Sequence, residues 1–189
     1  MNFLDQFRYT FDNLSELSIT KNQDTETKTS YNNPQLKSLL STSVKVTPEI
    51  FPKVAEAIDQ VFERLKLKNN FNFFITANHL QTQALCAMMP QSSNAEIIIT
   101  SKMIDLLNGE ELQSVIGHEV SHFYYQHSLY PSPNQARTKT EFLNLLHLSR
   151  AAEISADRAG FLGSGSLEYS LRSMLKITSG LGDQHLQFN

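Results

Sequence analysis

The sequence predicts an α+β fold, with a small, mostly antiparallel sheet followed by two helices that carry metal-ligand spacing. Three observations predict it. Short β-prone runs cluster mid-chain, at 71–76 (FNFFIT), 83–89 and 95–100 (AEIIIT), with PQSSN as a turn between the last two. Helical apolar spacing follows, through Leu112, Val115, Ile116, Val120 and Phe123. Further on, SRAAEISADRAG at 149–160 sets Glu153 and Asp157 four residues apart, on one face of a helix.

Taken in order, residues 2–17 space Phe3, Phe7, Phe11 and Leu14 as an amphipathic helix. Residues 20–35, TKNQDTETKTSYNNPQ, are polar and turn-rich and read as a linker. This divides the chain into an N-terminal helix and linker at 1–35 and a main domain at 36–189. Four large apolar groups are costly to leave wet, so the first helix is expected to dock. Thr47-Pro48, a cap followed by proline, predicts the next helix start, with Ile50, Val54, Ile58, Val61, Phe62 and Leu65 as its buried stripe. The strands come next, and AEIIIT is expected to border a cleft as an edge strand able to pair with an extended peptide. Asn108 caps the following helix, with Glu111 three residues on, as in a capping box. Residues 123–140 are polar and turn-rich. Past 149–160, the run GSGS at 163–166 breaks the helix, and 167–178 predict a last one with Leu171, Met174, Leu175 and Ile177. The tail after it is short.

Composition narrows the function. The chain has 189 residues, 40% hydrophobic and 19% charged, enough for an ordinary globular core. A net charge of −3 argues against nucleic acid and anionic membrane surfaces as partners. No apolar run reaches the length of about 18 residues that a transmembrane helix needs. Cys86 is the single cysteine, so no intrachain disulfide forms; within ALCAMM it reads as a small core residue and not a catalytic thiol. The start, MNFLDQFRYTF, carries early acid and does not read as a secretory signal, which makes the cytoplasm the expected location.

His118-Glu119-Val120-Ser121-His122 is an HExxH motif. On a helix, positions i and i+4 share a face, so both imidazoles can aim at one Zn²⁺, and Glu119 can reach a water beside the metal as general base. With 6 His in the chain, chance yields on the order of 0.01 such matches. A catalytic zinc needs a third protein ligand and an open position. Glu153 can supply the ligand, and Asp157 can accept the ring N–H of His118 and fix its tautomer. By helical phase, His127, nine residues beyond His118, falls off the metal face. His79 and His185 sit in expected loops. Tyr169, Arg172 and His147 are the candidates to stabilise a tetrahedral oxyanion. Arg150 and Arg158 bracket the second motif as expected partners in local salt bridges.

GHEVSHF followed by SRAAEISADRAG resembles the HtpX-type and CAAX-prenyl-endopeptidase family of zinc metallopeptidases, with its soluble minigluzincin members. The resemblance covers about residues 70–163. It implies a zincin-type active-site helix followed by a glutamate helix. It also implies one Zn²⁺ per chain on His118, His122 and Glu153, with Glu119 catalytic and Asp157 supporting His118. Family members often carry Asn-Ala in the strand region, where this chain has Gln83-Ala84.

The expected activity is therefore zinc-dependent endopeptidase hydrolysis through a metal-activated water, with an extended peptide or unfolded protein as substrate. Either terminus is a candidate autoinhibitory segment. The competing reading is a latent or inactive zinc-binding domain that docks partners; an intact Glu119 weighs against it. A metal-independent interaction module is the third.

Overall fold

The computed structural model describes residues 3–14, 34–68, 70–77, 83–88 and 95–188. His79, the PQSSN turn and most of the polar linker fall outside these residues. In the expected N-terminal helix, the described part begins with a 3-10 turn at Phe3–Gln6 and leaves helical geometry before Asp12. Leu4 is wholly buried there, while Phe11 is exposed. The arm docks through Leu4 and a buried Asp12, not through a phenylalanine stripe.

Helix α1 (Pro34–Ser41) leads into β1 (Ser43–Lys45), α2 (Pro52–Leu65), β2 (Phe71–Thr76), β3 (Ala84–Met88) and β4 (Ala95–Thr100). Helices α3 (Ser101–Leu106), α4 (Gly109–Tyr124), α5 (Lys139–Ser164) and α6 (Leu167–Ser179) complete the chain. Helix α2 starts later than Thr47-Pro48 suggested. Thr47 accepts turn hydrogen bonds from Ile50 and Phe51, and Pro52 is the proline of the first helical turn. Ile50 is consequently exposed, while Val54, Ile58, Val61, Phe62 and Leu65 are buried.

The fold is α+β, as expected, with a mixed sheet of order β1-β2-β4-β3. β1 and β3 pair antiparallel with their neighbours, but β2 and β4 run parallel, with Phe73 opposite Ile97 and Ile75 opposite Ile99. AEIIIT is thus a central strand. Its residues are buried along both faces, as a run of isoleucines at Ile97, Ile98 and Ile99 requires. The free edge next to the helices belongs to β3. One sheet face, with Phe71, Phe73, Ile97 and Ile99, packs on α2 and α4, and the other, with Phe74 and Ile98, takes Leu39 and Leu40 of α1. Each such fully buried aliphatic side chain stabilises the fold by about 1.5–3 kcal/mol.

Helix α6 follows its expected apolar pattern only at Ile177, which packs against the core. Ser170, Ser173 and Lys176 are buried, whereas Leu171, Met174 and Leu175 are exposed. The buried Lys176 accounts for the departure: its ammonium reaches Glu111 of α4.

Candidate metal centre

The HExxH motif rides on α4, and the start of that helix is pinned twice. Asn108 Oδ1 accepts from the Glu111 backbone N–H at 2.9 Å, and Glu111 Oε2 accepts from the Asn108 N–H at 3.0 Å. The buried Glu111 carboxylate also accepts from Arg172 Nε at 3.0 Å and Lys176 Nζ at 2.7 Å. This commits Arg172 to an ion-pair network, away from any oxyanion. Tyr169 and His147 line neither cavity described below.

Helix α5 crosses α4 with almost nothing between the backbones. A Cβ on Gly117 would lie 2.8 Å from the carbonyl oxygen of Ala159, and one on Gly160 would lie 2.7 Å from that of Ser114. The small residues Ala152, Ala156, Ala159, Gly160 and Gly163 along α5 permit this approach, and all are buried. The contact lies beside His118 and sets how far Glu153 must reach.

The structure brings His118, His122 and Glu153 together, one ligand atom of each lying within 4.8 Å of the others. His118 Nε2 is 3.1 Å from His122 Nε2 and 3.4 Å from Glu153 Oε2, and His122 Nε2 is 4.0 Å from Glu153 Oε1. A tetrahedral zinc with bonds of about 2.0–2.1 Å spaces its ligand atoms roughly 3.3–3.4 Å apart. The donor set therefore fits that ion in type and spacing. Asp157 Oδ1 stands 3.0 Å from His118 Nδ1, which turns Nε2 toward the cluster.

Electrostatics follow the geometry. Burial pushes the His118 imidazolium down, but hydrogen bonds to Asp157 and Glu153 outweigh it and raise the ring to about 10 in the metal-free chain. Burial and the neighbouring His118 charge lower His122 to about 4. The hydrogen bond from His118 holds Glu153 below the usual carboxylate range. Glu119 is raised by burial, with further repulsion from Glu153; it accepts a hydrogen bond from the Cys86 backbone. Cys86 lies on the edge strand at the cleft and not deep in the core, and burial lifts its thiol to about 12, so it is no nucleophile.

Two cavities meet at His118 and Glu119. One, of about 520 Å³, runs past His122 and Glu153 toward Tyr130; the other, of about 330 Å³, is walled by Met103, Val115, Met174 and Ile177. Ala84 of β3 borders both. No described residue of the N-terminal arm or of the tail after α6 lines either cavity, so the structure gives the expectation of an autoinhibitory terminus no support.

His127 departs from its expected place. Helix α4 stops at Tyr124, Gln126 takes a left-handed conformation (φ 58°), and the chain folds back. His127 Nδ1 then lies 2.7 Å from His122 Nδ1, and His127 lines the larger cavity. Behind it, Asp12 Oδ2 stands 3.0 Å from His127 Nε2. Spacing within the motif carried no sign of Asp12. The run of small residues in AAEISADRAG, by contrast, was a readable signal for the close helix crossing. Among the described residues Arg158 makes no salt bridge: its guanidinium stacks over Tyr9, 5.0 Å from the ring centre, and donates to the Phe7 carbonyl. His185 is exposed.

One helix thus carries two imidazoles and a glutamate, and a second helix crosses it and brings a carboxylate to both rings. Residues 48–139 match the model of peptidase family M48. The match takes in His118, Glu119 and His122 and ends before Glu153. No curated protein and no solved structure matches the chain.

Proposed function

We propose that the chain is a zinc-dependent endopeptidase. The convergence of His118, His122 and Glu153 carries this reading. These three side chains would hold the ion, with Asp157 orienting His118. Bound there, zinc supplies a Lewis acid that polarises a peptide carbonyl and makes a water nucleophilic near neutral pH. Glu119 receives the proton of the attacking water on its carboxylate and hands it to the leaving amine. Its raised pKa suits both transfers, because a proton shuttle works best when its pKa lies near the working pH. The free edge of β3 offers backbone hydrogen bonds to an extended peptide. The two cavities continue on either side of Glu119, which favours cleavage within a chain over trimming at its end.

Among the described residues no helix is long and apolar enough to cross a membrane. We place the protein among the soluble, minigluzincin-like members of its family and in the cytoplasm, where a lone cysteine stays reduced.

The test is elemental analysis together with casein cleavage by wild type and Glu119→Gln. The expected result is one zinc per chain in both and hydrolysis in wild type alone. Full activity in Glu119→Gln would remove that residue from the proton-transfer role, and protein without stoichiometric zinc would remove the metal centre.

A further inference from the structure

The second histidine of the motif is oriented by a chain of contacts that reaches back to the N-terminal arm. His122 Nδ1 meets His127 Nδ1 at 2.7 Å, and His127 Nε2 meets Asp12 Oδ2 at 3.0 Å. Asp12 and the His127 side chain are both almost fully buried. An ionised carboxylate only accepts hydrogen bonds, so His127 must place its proton on Nε2. With one proton on the ring its Nδ1 is a lone pair, and the short contact to His122 Nδ1 then puts the bridging proton on the His122 side. That leaves His122 Nε2 as a lone pair facing His118 and Glu153.

We infer that Asp12 and His127 are positioning residues that fix the tautomer and orientation of His122, matching from the far side what Asp157 does for His118. The N-terminal arm is thereby a built part of the centre. Its seat is independent of the metal. The Tyr9 backbone N–H donates to Ser155 Oγ at 2.9 Å, and Ser155 lies wholly buried between Glu153 and Asp157 on α5. Arg8 Nε and the Tyr130 hydroxyl also donate to the Asp12 carboxylate, at 3.1 and 2.5 Å. The motif segment EISAD therefore serves both sides: Glu153 and Asp157 face the rings, and Ser155 holds the arm that carries Asp12.

This inference rests on the metal-centre reading, and the experiment separates the two. Zinc affinity is measured by chelator competition for wild type, Asp12→Ala, His127→Leu, His127→Gln and the Asp12→Ala/His127→Leu pair. A core variant, Leu65→Ala, controls for lost stability. Long-range ¹H–¹⁵N spectra of the metal-free proteins report the His122 tautomer. Orienting partners of this kind are worth about 10–100-fold in metal affinity. The expected result is a loss of that size in Asp12→Ala and in His127→Leu, no further loss in the pair, and partial rescue in His127→Gln, whose carbonyl can still accept from His122. The Nδ1–H tautomer of His122 should fade in the two single variants and persist in Leu65→Ala. Wild type that binds zinc beside variants that bind it equally overturns the inference alone, as does an unchanged tautomer. Additive losses that track melting temperature overturn it too. Wild type that binds no zinc overturns the metal centre and this inference with it.

Discussion

Glu111 and Lys176 meet 2.7 Å apart with neither side chain exposed to solvent. The pair joins the first turn of α4 to the last turn of α6, and Asp183 bridges the same ammonium at 2.8 Å. Removing one partner of a buried pair strands the other charge, at a cost of roughly 3–5 kcal/mol. Lys176→Met should therefore lower unfolding free energy in urea by about 3 kcal/mol, Arg172 still contacting the stranded carboxylate. Glu111→Gln/Lys176→Met should recover part of that loss. A Lys176→Met protein as stable as wild type would show that the pair contributes nothing net.

Gly117→Ala places a methyl group against the Ala159 carbonyl at 2.8 Å, where only backbone can give way. Such overpacking costs about 1–3 kcal/mol. The helices should part, and Glu153 should lose reach to the rings, so zinc affinity falls together with melting temperature. Gly109→Ala is the matched control, since a methyl group there meets nothing within 4 Å. Equal behaviour of the two variants would discount the close crossing.

Glu153 and Asp157 should fail differently. Glu153→Gln removes a ligand charge and should abolish stoichiometric zinc at micromolar concentrations. Asp157→Asn leaves all three donors in place and should weaken zinc by about 10–100-fold. Dialysis against graded chelator, followed by metal analysis, distinguishes the two; identical losses would erase the division of roles.

Zinc loading should be proton-coupled through one ring. Below about 10 the metal-free His118 carries its second proton, whereas His122, at about 4, is already neutral at pH 7. Binding requires neutral imidazoles. Loading between pH 7 and 9 should thus release about one proton from His118, and apparent affinity should climb roughly tenfold per pH unit over that range. Calorimetry in two buffers of different ionisation enthalpy counts the protons. Release of none, or of two, would count against this assignment.

Asp12 links the arm to acid stability. Burial pushes its carboxyl up, but hydrogen bonds from His127, Tyr130 and Ser155 outweigh this and hold it below the usual carboxylate range. A depressed folded value means stabilisation that is complete above the unfolded pKa of about 3.9 and lost as pH falls below it. Each unit of depression is worth about 1.4 kcal/mol. Urea midpoints of wild type should fall steeply from pH 4 to pH 2, and those of Asp12→Asn less so. Parallel profiles would mean that Asp12 is not the group titrating.

Local signals read well from the sequence. Asn108 and Glu111 marked the start of α4 because a capping box is written within four residues. The β-prone runs marked three strands because strand propensity is local, and the i, i+4 spacing of His118 with His122 needs only a helix to have meaning. Remote pairing left no such trace. Leu171, Met174, Leu175 and Ile177 suggest an inward apolar face for α6, yet Lys176 takes a buried place there because its partner lies on another element. His127 was misplaced because helical phase was carried through Gln126, where the backbone leaves the helix. AEIIIT reads as an edge but is central, because strand order depends on where β3 inserts and nothing within the strand records that.

The crossing at Gly117 and Gly160 has one more consequence. Elsewhere in a protein, two helices are kept apart by side chains that can rotate and adapt. Here main chain rests on main chain, so the gap spanned by Glu153 is set by atomic radii and has no adjustable spacer. The spacing of His118, His122 and Glu153 is thereby built into the helix crossing itself.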